Sequence, residues 1–119
     1  MVSKYETGMR GQREAEDFLT KKGHIVLKRN YRTRTGEIDI ITSEGDYIVF
    51  VEVKYRAHIK YGLPREAVGA AKQHRIIRTA LHFISFNMNE EKDFRFDVVE
   101  VYPAGGKTLV NHIENAFGV

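Results

Sequence analysis

Asp39, Glu52 and Lys54 are the side chains of this sequence whose types and spacing could do chemistry together. They fall in two short runs, Gly36-Glu37-Ile38-Asp39-Ile40-Ile41 and Phe50-Val51-Glu52-Val53-Lys54, on either side of Gly45-Asp46. Ile38–Thr42 and Tyr47–Tyr55 are rich in β-branched and aromatic residues and read as strands. A Gly-first two-residue loop suits a tight hairpin turn, which sets Glu44 opposite Tyr47, Asp39 opposite Glu52 and Glu37 opposite Lys54. Side chains alternate with period two, so Glu37, Asp39, Glu52 and Lys54 are expected on one face together with Phe50. Ile38, Ile40, Val49, Val51 and Val53 are expected on the other.

Directly opposed side chains have Cβ atoms about 5 Å apart, and like charges in that relation destabilise a sheet. A hard divalent cation would offset the repulsion. Mg²⁺ takes one or two carboxylates plus waters, and the strand carbonyl between Glu52 and Lys54 could supply a further oxygen. A lysine beside such an ion can hold or deprotonate an attacking water. The rival reading is a solvated charged face, and Glu-x-Lys alone is a very weak signal. Against it, Tyr47–Val53 is almost continuously apolar, the pattern of a strand covered on both sides, where unpartnered charges are costly.

These residues need elements to position them. A helix is expected from about Thr7 to Lys22, with Ala15, Phe18 and Leu19 as its apolar stripe and Gly23 as its stop, followed by a strand from His24 to Arg29. After the hairpin, Ala57–Leu63 reads as a loop and Pro64 as the start of a short helical turn. From about Gly69 to Phe86, the residues Gln73, Ile76, Ile77, Ala80, Leu81 and Ile84 carry the spacing of a buried helix face. Gln73 is the polar exception, either a satisfied core amide or a group aimed at a site. Phe94–Tyr102 is a strand, Pro103–Gly106 a turn and Thr108–Ile113 a last, edge strand. The order α-β-β-β-α-β-β implies an α/β fold, a mixed β-sheet flanked by helices.

At 119 residues the chain fits a single domain, and its 42% hydrophobic and 29% charged composition is that of an ordinary soluble protein. With no cysteine there is no disulfide framework and no thiolate zinc site, so any metal is oxygen-ligated. Met1-Val2-Ser3-Lys4-Tyr5-Glu6 lacks the apolar core of a signal peptide and no run approaches a membrane span, so a cytoplasmic location without membrane contact is expected. The five histidines show no metal-ligand spacing.

The spacing of Gly36-Glu37-Ile38-Asp39, Phe50-Val51-Glu52-Val53-Lys54-Tyr55-Arg56, Gly62-x-Pro64, Ala67-Val68 and Lys72-Gln73-His74-Arg75 resembles the uncharacterised YraN-like family. The likeness extends over Gly8, Gly11, Ala15 and Leu19, the Asn30-Tyr31-Arg32 turn, Arg95-Phe96-Asp97-Val98-Val99 and Ile113-x-x-Ala116-Phe117. That family looks like a minimal member of the PD-(D/E)xK nucleases, with a restriction-endonuclease-like core related to archaeal Holliday-junction resolvases. The resemblance implies one nuclease-like domain over residues 1–119. Asp39 and Glu52 would bind Mg²⁺ or Mn²⁺, Lys54 would position or activate water, and Lys72-Gln73 would face the site or a phosphate. Relatives place a glutamate where this chain has Gln12; Glu16, one turn along, could substitute or be a surface charge.

The expected substrate is DNA. Lys28, Arg29, Arg32 and Arg34 precede the acid hairpin, Arg56 and Lys60 follow it, and Lys72, Arg75 and Arg78 lie on the long helix, so that Arg32, Arg34, Arg56, Lys72 and Arg75 are candidate phosphate contacts. Tyr55 could stack on a base. The expectation is a metal-dependent nuclease, structure-selective for branched or single-stranded DNA in repair or recombination. The alternative is an inactive nucleic-acid-binding module of such an assembly. A homodimer is compatible with either, since one small nuclease domain cuts one strand at a time.

Overall fold

The structure is a computed structural model that describes residues 4–56, 68–87 and 92–118, with side chains from residue 8. The loop expected over Ala57–Leu63, the turn at Pro64, and His58, Lys60, Gly62 and Ala67 lie outside the described residues. Helix α1 (Lys4–Lys21) is followed by strands β1 (Ile25–Arg32), β2 (Glu37–Glu44) and β3 (Tyr47–Tyr55). Helix α2 (Ala70–Asn87) then leads to β4 (Asp93–Ala104) and β5 (Lys107–Phe117). The chain is α/β in the expected order.

The five strands form one sheet in the order β1-β2-β3-β4-β5, with β3 and β4 parallel and the other neighbours antiparallel. α2 carries the parallel crossover, as parallel neighbours need a long connection. Each helix covers one sheet face. Ala15 and Leu19 of α1 pack on Ile40, Val49, Val51, Val99 and Val101, while Ile76, Ala80 and Phe83 of α2 pack on Ile41, Ile48, Phe50, Phe96 and Val98. With both faces covered, β3 is apolar along nearly its whole length for the reason its sequence suggests.

α1 stops where Gly23, at φ 99°, takes the left-handed position that an L side chain avoids. The Gly23 amide donates to the Thr20 carbonyl at 3.1 Å and the His24 amide to the Leu19 carbonyl at 3.0 Å, the paired bonds of a Schellman cap. Gly45-Asp46 makes the hairpin turn, and Glu44↔Tyr47, Thr42↔Val49 and Ile40↔Val51 keep the register read from the sequence.

Several elements differ from expectation. Asn30-Tyr31-Arg32 is not a turn: β1 continues to Arg32 and the chain turns over 33–36. The buried stripe of α2 is Ile76, Thr79, Ala80 and Phe83, while Leu81 is exposed, because Phe83 meets the rings of Tyr31 and Phe50 at 5.3 and 6.0 Å. Ile38 lies in the α2-side core rather than beside Ile40, so strict alternation fails between them.

Candidate functional site

The failure of alternation is centred on Asp39. The β2–β3 ladder runs from Glu44↔Tyr47 only as far as Ile40↔Val51. On the other side of β2, the β1 pairing skips Asn30 and Asp39, and Asn30 has φ 50°, a left-handed conformation that Asn tolerates better than most side chains. Beyond the last rung, the Asp39 carboxylate accepts the Val53 amide at 2.8 Å through Oδ2, so a side chain occupies the place of a backbone partner. Asp39 Oδ1 accepts no hydrogen bond among the described residues.

Asp39 opens into a cavity of about 540 Å³ lined by Gly8, Met9 and Gln12 of α1, Asn30 and Arg32 of β1, Glu37 of β2, and Val53 and Tyr55 of β3. One wall is a polar chain. The Gln12 amide donates to Asn30 Oδ1 at 3.0 Å, and Asn30 Nδ2 donates to Gln12 Oε1 at 3.2 Å and to Glu37 Oε1 at 3.0 Å. Arg32 grips the other Glu37 oxygen at 2.8 and 3.1 Å. Burial alone would raise the Glu37 carboxyl, but Asn30 and Arg32 hold it below the usual carboxylate range.

Glu52, only 5% exposed, is held from the α2 side. Lys72 of α2 sits 2.5 Å from Glu52 Oε1, and Lys54 lies 4.0 Å from the same oxygen. The four charged residues of the hairpin therefore do not share one face: Glu37 and Asp39 line the α1-side cavity, and Glu52 and Lys54 gather round an α2 lysine. The two acids still interact across the end of the ladder. Asp39 is pushed up to about 7, first by burial and then by the Glu52 charge. Lys54 is lowered by burial and by the neighbouring Lys72 ammonium. Lys72 stays above its ordinary value because contact with Glu52 outweighs its own burial.

The remaining candidates are placed as follows. Gln12 and Asn30 satisfy each other's amides. Glu16 faces away from the Asp39 cavity and clamps Arg29 at 2.5 and 2.9 Å. The Gln73 amide donates to the Val68 carbonyl at 2.7 Å and closes the chain onto the start of α2. Of the five candidate phosphate contacts, Arg32 pairs with Glu37, Arg56 with Glu100 at 2.7 Å, and Lys72 with Glu52. Arg34 and Arg75 are exposed and form no ion pair among the described residues. Asn30, read as part of a turn, is a wall residue that sequence reasoning missed; an Asn inside a run that continues as strand was the available signal.

Among the described residues, no three His, Cys, Asp or Glu side chains cluster as metal ligands, so the site offers two carboxylates. No helix of the described residues is long and apolar enough to cross a membrane.

Fold and site together define a small α/β protein with two acids and two lysines at the open end of a buried hairpin. The chain belongs to the Uncharacterised protein family UPF0102, whose model matches residues 11–101. It is 43% identical to a UPF0102 protein of Caldicellulosiruptor saccharolyticus, over 98% of this chain and all of the relative. It is 45% identical to one of Clostridioides difficile (94% and 96% covered) and 46% to one of Symbiobacterium thermophilum (92% and 94%).

Proposed function

We propose that the chain is a Mg²⁺- or Mn²⁺-dependent nuclease acting on DNA phosphodiester bonds, a PD-(D/E)xK enzyme with Asp39, Glu52 and Lys54 as its catalytic set. The observation that carries this reading is the Asp39 carboxyl at the opening of the β2–β3 ladder, raised by burial and then by the charge of Glu52, with Lys54, lowered by burial, beside Glu52 on the other face.

Asp39 and Glu52 are the residues that would hold an oxygen-ligated cation. Asp39 Oδ1 and Glu52 Oε2 accept no hydrogen bond among the described residues, and a raised carboxyl beside a second carboxylate is relieved by positive charge. Two carboxylates with the remaining positions left to water is a donor set that suits Mg²⁺. When bound, the ion would supply Lewis-acid stabilisation of the charge that develops on the phosphate. Lys54, lowered by burial, is the free amine in a larger fraction at a given pH than an ordinary lysine, and the free amine is the form that can take a proton from the attacking water. Lys72 keeps its charge and orients Glu52. Tyr55, partly exposed on the cavity wall, offers a ring to a base.

A second reading has a specific observation in its favour. Gln12 is committed to Asn30 and Lys72 to Glu52, which suits a nuclease fold kept for nucleic-acid binding within a repair or recombination assembly. Incubation of the purified protein with duplex, branched and single-stranded DNA, in Mg²⁺ and in Mn²⁺ across a range of pH, separates the two. Cleavage that disappears in Asp39→Ala and in Lys54→Ala is expected. Intact substrates throughout, with salt-dependent binding that survives Asp39→Ala, would refute the nuclease and leave the binding module.

A further inference from the structure

A second cleft lies on the α2 side of the sheet edge. Arg32 at the end of β1 and Thr33, Arg34 and Thr35 of the β1–β2 connection form one wall, and Arg78 and His82 of α2 form the other, around a volume of about 490 Å³. Among the described residues its lining holds three guanidinium groups, two hydroxyls and an imidazole, and no carboxylate, the Arg32 guanidinium being paired with Glu37 beside it.

The walls are held rigidly. At Gly36 a Cβ would lie 3.3 Å from Thr79 Oγ1 and 3.4 Å from Arg75 Cβ, so a larger residue would need α2 to give by a few tenths of an ångström. The hydroxyls of Thr33 and Thr35 reach Thr79 at 3.4 and 3.2 Å. His82 is fixed by the Tyr31 hydroxyl, 2.6 Å from its Nδ1. At its end the cleft meets an aromatic. Phe86, one helical turn beyond His82, is 76% exposed and lies against the imidazole with ring centroids 4.7 Å apart. Arg75, Arg78, His82 and Phe86 follow one another at helical spacing along one side of α2.

Among the described residues, Arg32 alone lines both this cleft and the Asp39 cavity. A strand whose phosphate lies at the acids is thus led past Arg32 into a cationic groove that ends on an open ring. Guanidinium groups neutralise the backbone at any sequence, whereas a ring face binds only a base that has left its stack. We infer that the cleft of Arg32, Arg34, Arg78 and His82, ending at Phe86, is a binding track for a single nucleic-acid strand and gives this protein its preference for unpaired over duplex substrate. The inference rests on the nuclease reading for the direction in which the strand is led, and not for its affinity.

The test is fluorescence anisotropy with a short labelled oligothymidylate and a blunt hairpin duplex, in EDTA, for the wild type, Arg78→Glu and Phe86→Ala. Both altered side chains are exposed. Arg78→Glu weakens binding to both probes by about tenfold or more and lowers the slope of log affinity against log salt by about 0.7 on the single strand. Phe86→Ala weakens single-strand binding by roughly tenfold, the effect of one lost stacking partner, and leaves duplex binding unchanged. Wild-type affinity in both variants, an equal loss on both probes for Phe86→Ala, or no wild-type binding to the single strand at low salt would overturn the inference. Cleavage of the same probes in Mg²⁺ separates the two claims. Binding losses as stated without any cleavage would sink the nuclease and leave the track, and cleavage with unaffected binding would do the reverse.

Discussion

Replacing Asp39 by Asn should stabilise the metal-free protein, an outcome unlike that of most substitutions at a partly buried polar group. The Asp39 carboxyl is raised from 3.8 to about 7 by burial and by Glu52. At 1.36 kcal/mol per unit, holding it ionised costs the folded state about 4 kcal/mol above neutral pH. A carboxyl raised in the folded state binds its proton more tightly there than in the unfolded chain. Its contribution to stability is therefore complete below the unfolded value and is lost as pH rises through about 7. The Asn side chain is neutral at every pH, and its Oδ1 can still accept the Val53 amide. Relaxation of the ionised pair takes back part of the penalty, so a gain of about 2 kcal/mol is expected near pH 8 in EDTA, or roughly 8 °C in Tm for a chain of this size. Near pH 5 the wild-type carboxyl is protonated and the gap narrows. Mg²⁺ should raise the wild-type Tm, because a ligand bound only by the folded state stabilises it, and should leave the variant unmoved. Thermal melts at both pH values, with and without metal, measure all of this. A variant no more stable than wild type at pH 8 in EDTA would refute the claim that Asp39 is charged against its surroundings.

Lys54→Arg should lower any cleavage rate by about 100-fold or more while leaving metal affinity near wild type, since a guanidinium cannot surrender its proton. A single-turnover pH profile that rises toward a lysine value below 10.5 in the wild type, and is flat in the variant, checks it. Asn30→Ala removes a left-handed residue and its bonds to Gln12 and Glu37, and should cost about 1–3 kcal/mol in urea unfolding. Gly36→Ala forces a Cβ against Thr79 and Arg75 and should cost about 1 kcal/mol or more, read by the same method. Asp97 is fully buried and accepts from Arg95, His112 and the Asn115 amide, so Asp97→Asn should cost about 3 kcal/mol. These partners hold the Asp97 carboxyl below 3.8 despite its burial. The wild-type advantage is therefore present above that value and is lost as pH falls below it, which melts across the acid range would follow.

Elements governed by local rules were legible in the sequence. A two-residue turn allows few geometries, so Gly45-Asp46 sufficed to predict the register from Glu44↔Tyr47 to Ile40↔Val51. The stop at Gly23 is equally local, since its bonds span only five residues. On α2 the apolar positions Ile76, Ile77, Ala80, Leu81, Phe83 and Ile84 make two overlapping stripes, and periodicity alone does not choose between them. Contact with Tyr31 and Phe50, two strands apart in the sheet, buries Phe83 and leaves Leu81 exposed. The candidate site divides in the same way. The identities of Asp39, Glu52 and Lys54 could be read along the chain, but the attachment of Lys72 to Glu52 depends on where α2 lands after the crossover.

The departure of Asp39 from the ladder accounts for most of what a flat hairpin would have made impossible. With alternation intact, Asp39 and Glu52 would face each other on the side that α2 covers, and the Val53 amide would be left to a β2 carbonyl. The left-handed Asn30 in the next strand and the change of face between Ile38 and Ile40 turn Asp39 toward α1 instead. One backbone rung is replaced by a carboxylate–amide bond of 2.8 Å. Glu52 keeps its lysines on the α2 side, Asp39 gains a cavity on the α1 side, and the two charges are left to interact through the opening between the strands. A cation at that opening would be reached from the α1 cavity, while lysines flank it from α2. The site is thus a property of the end of the β2–β3 ladder, and whatever restores regular pairing at Asn30 and Asp39 should abolish it and take Ile38 out of the α2-side core.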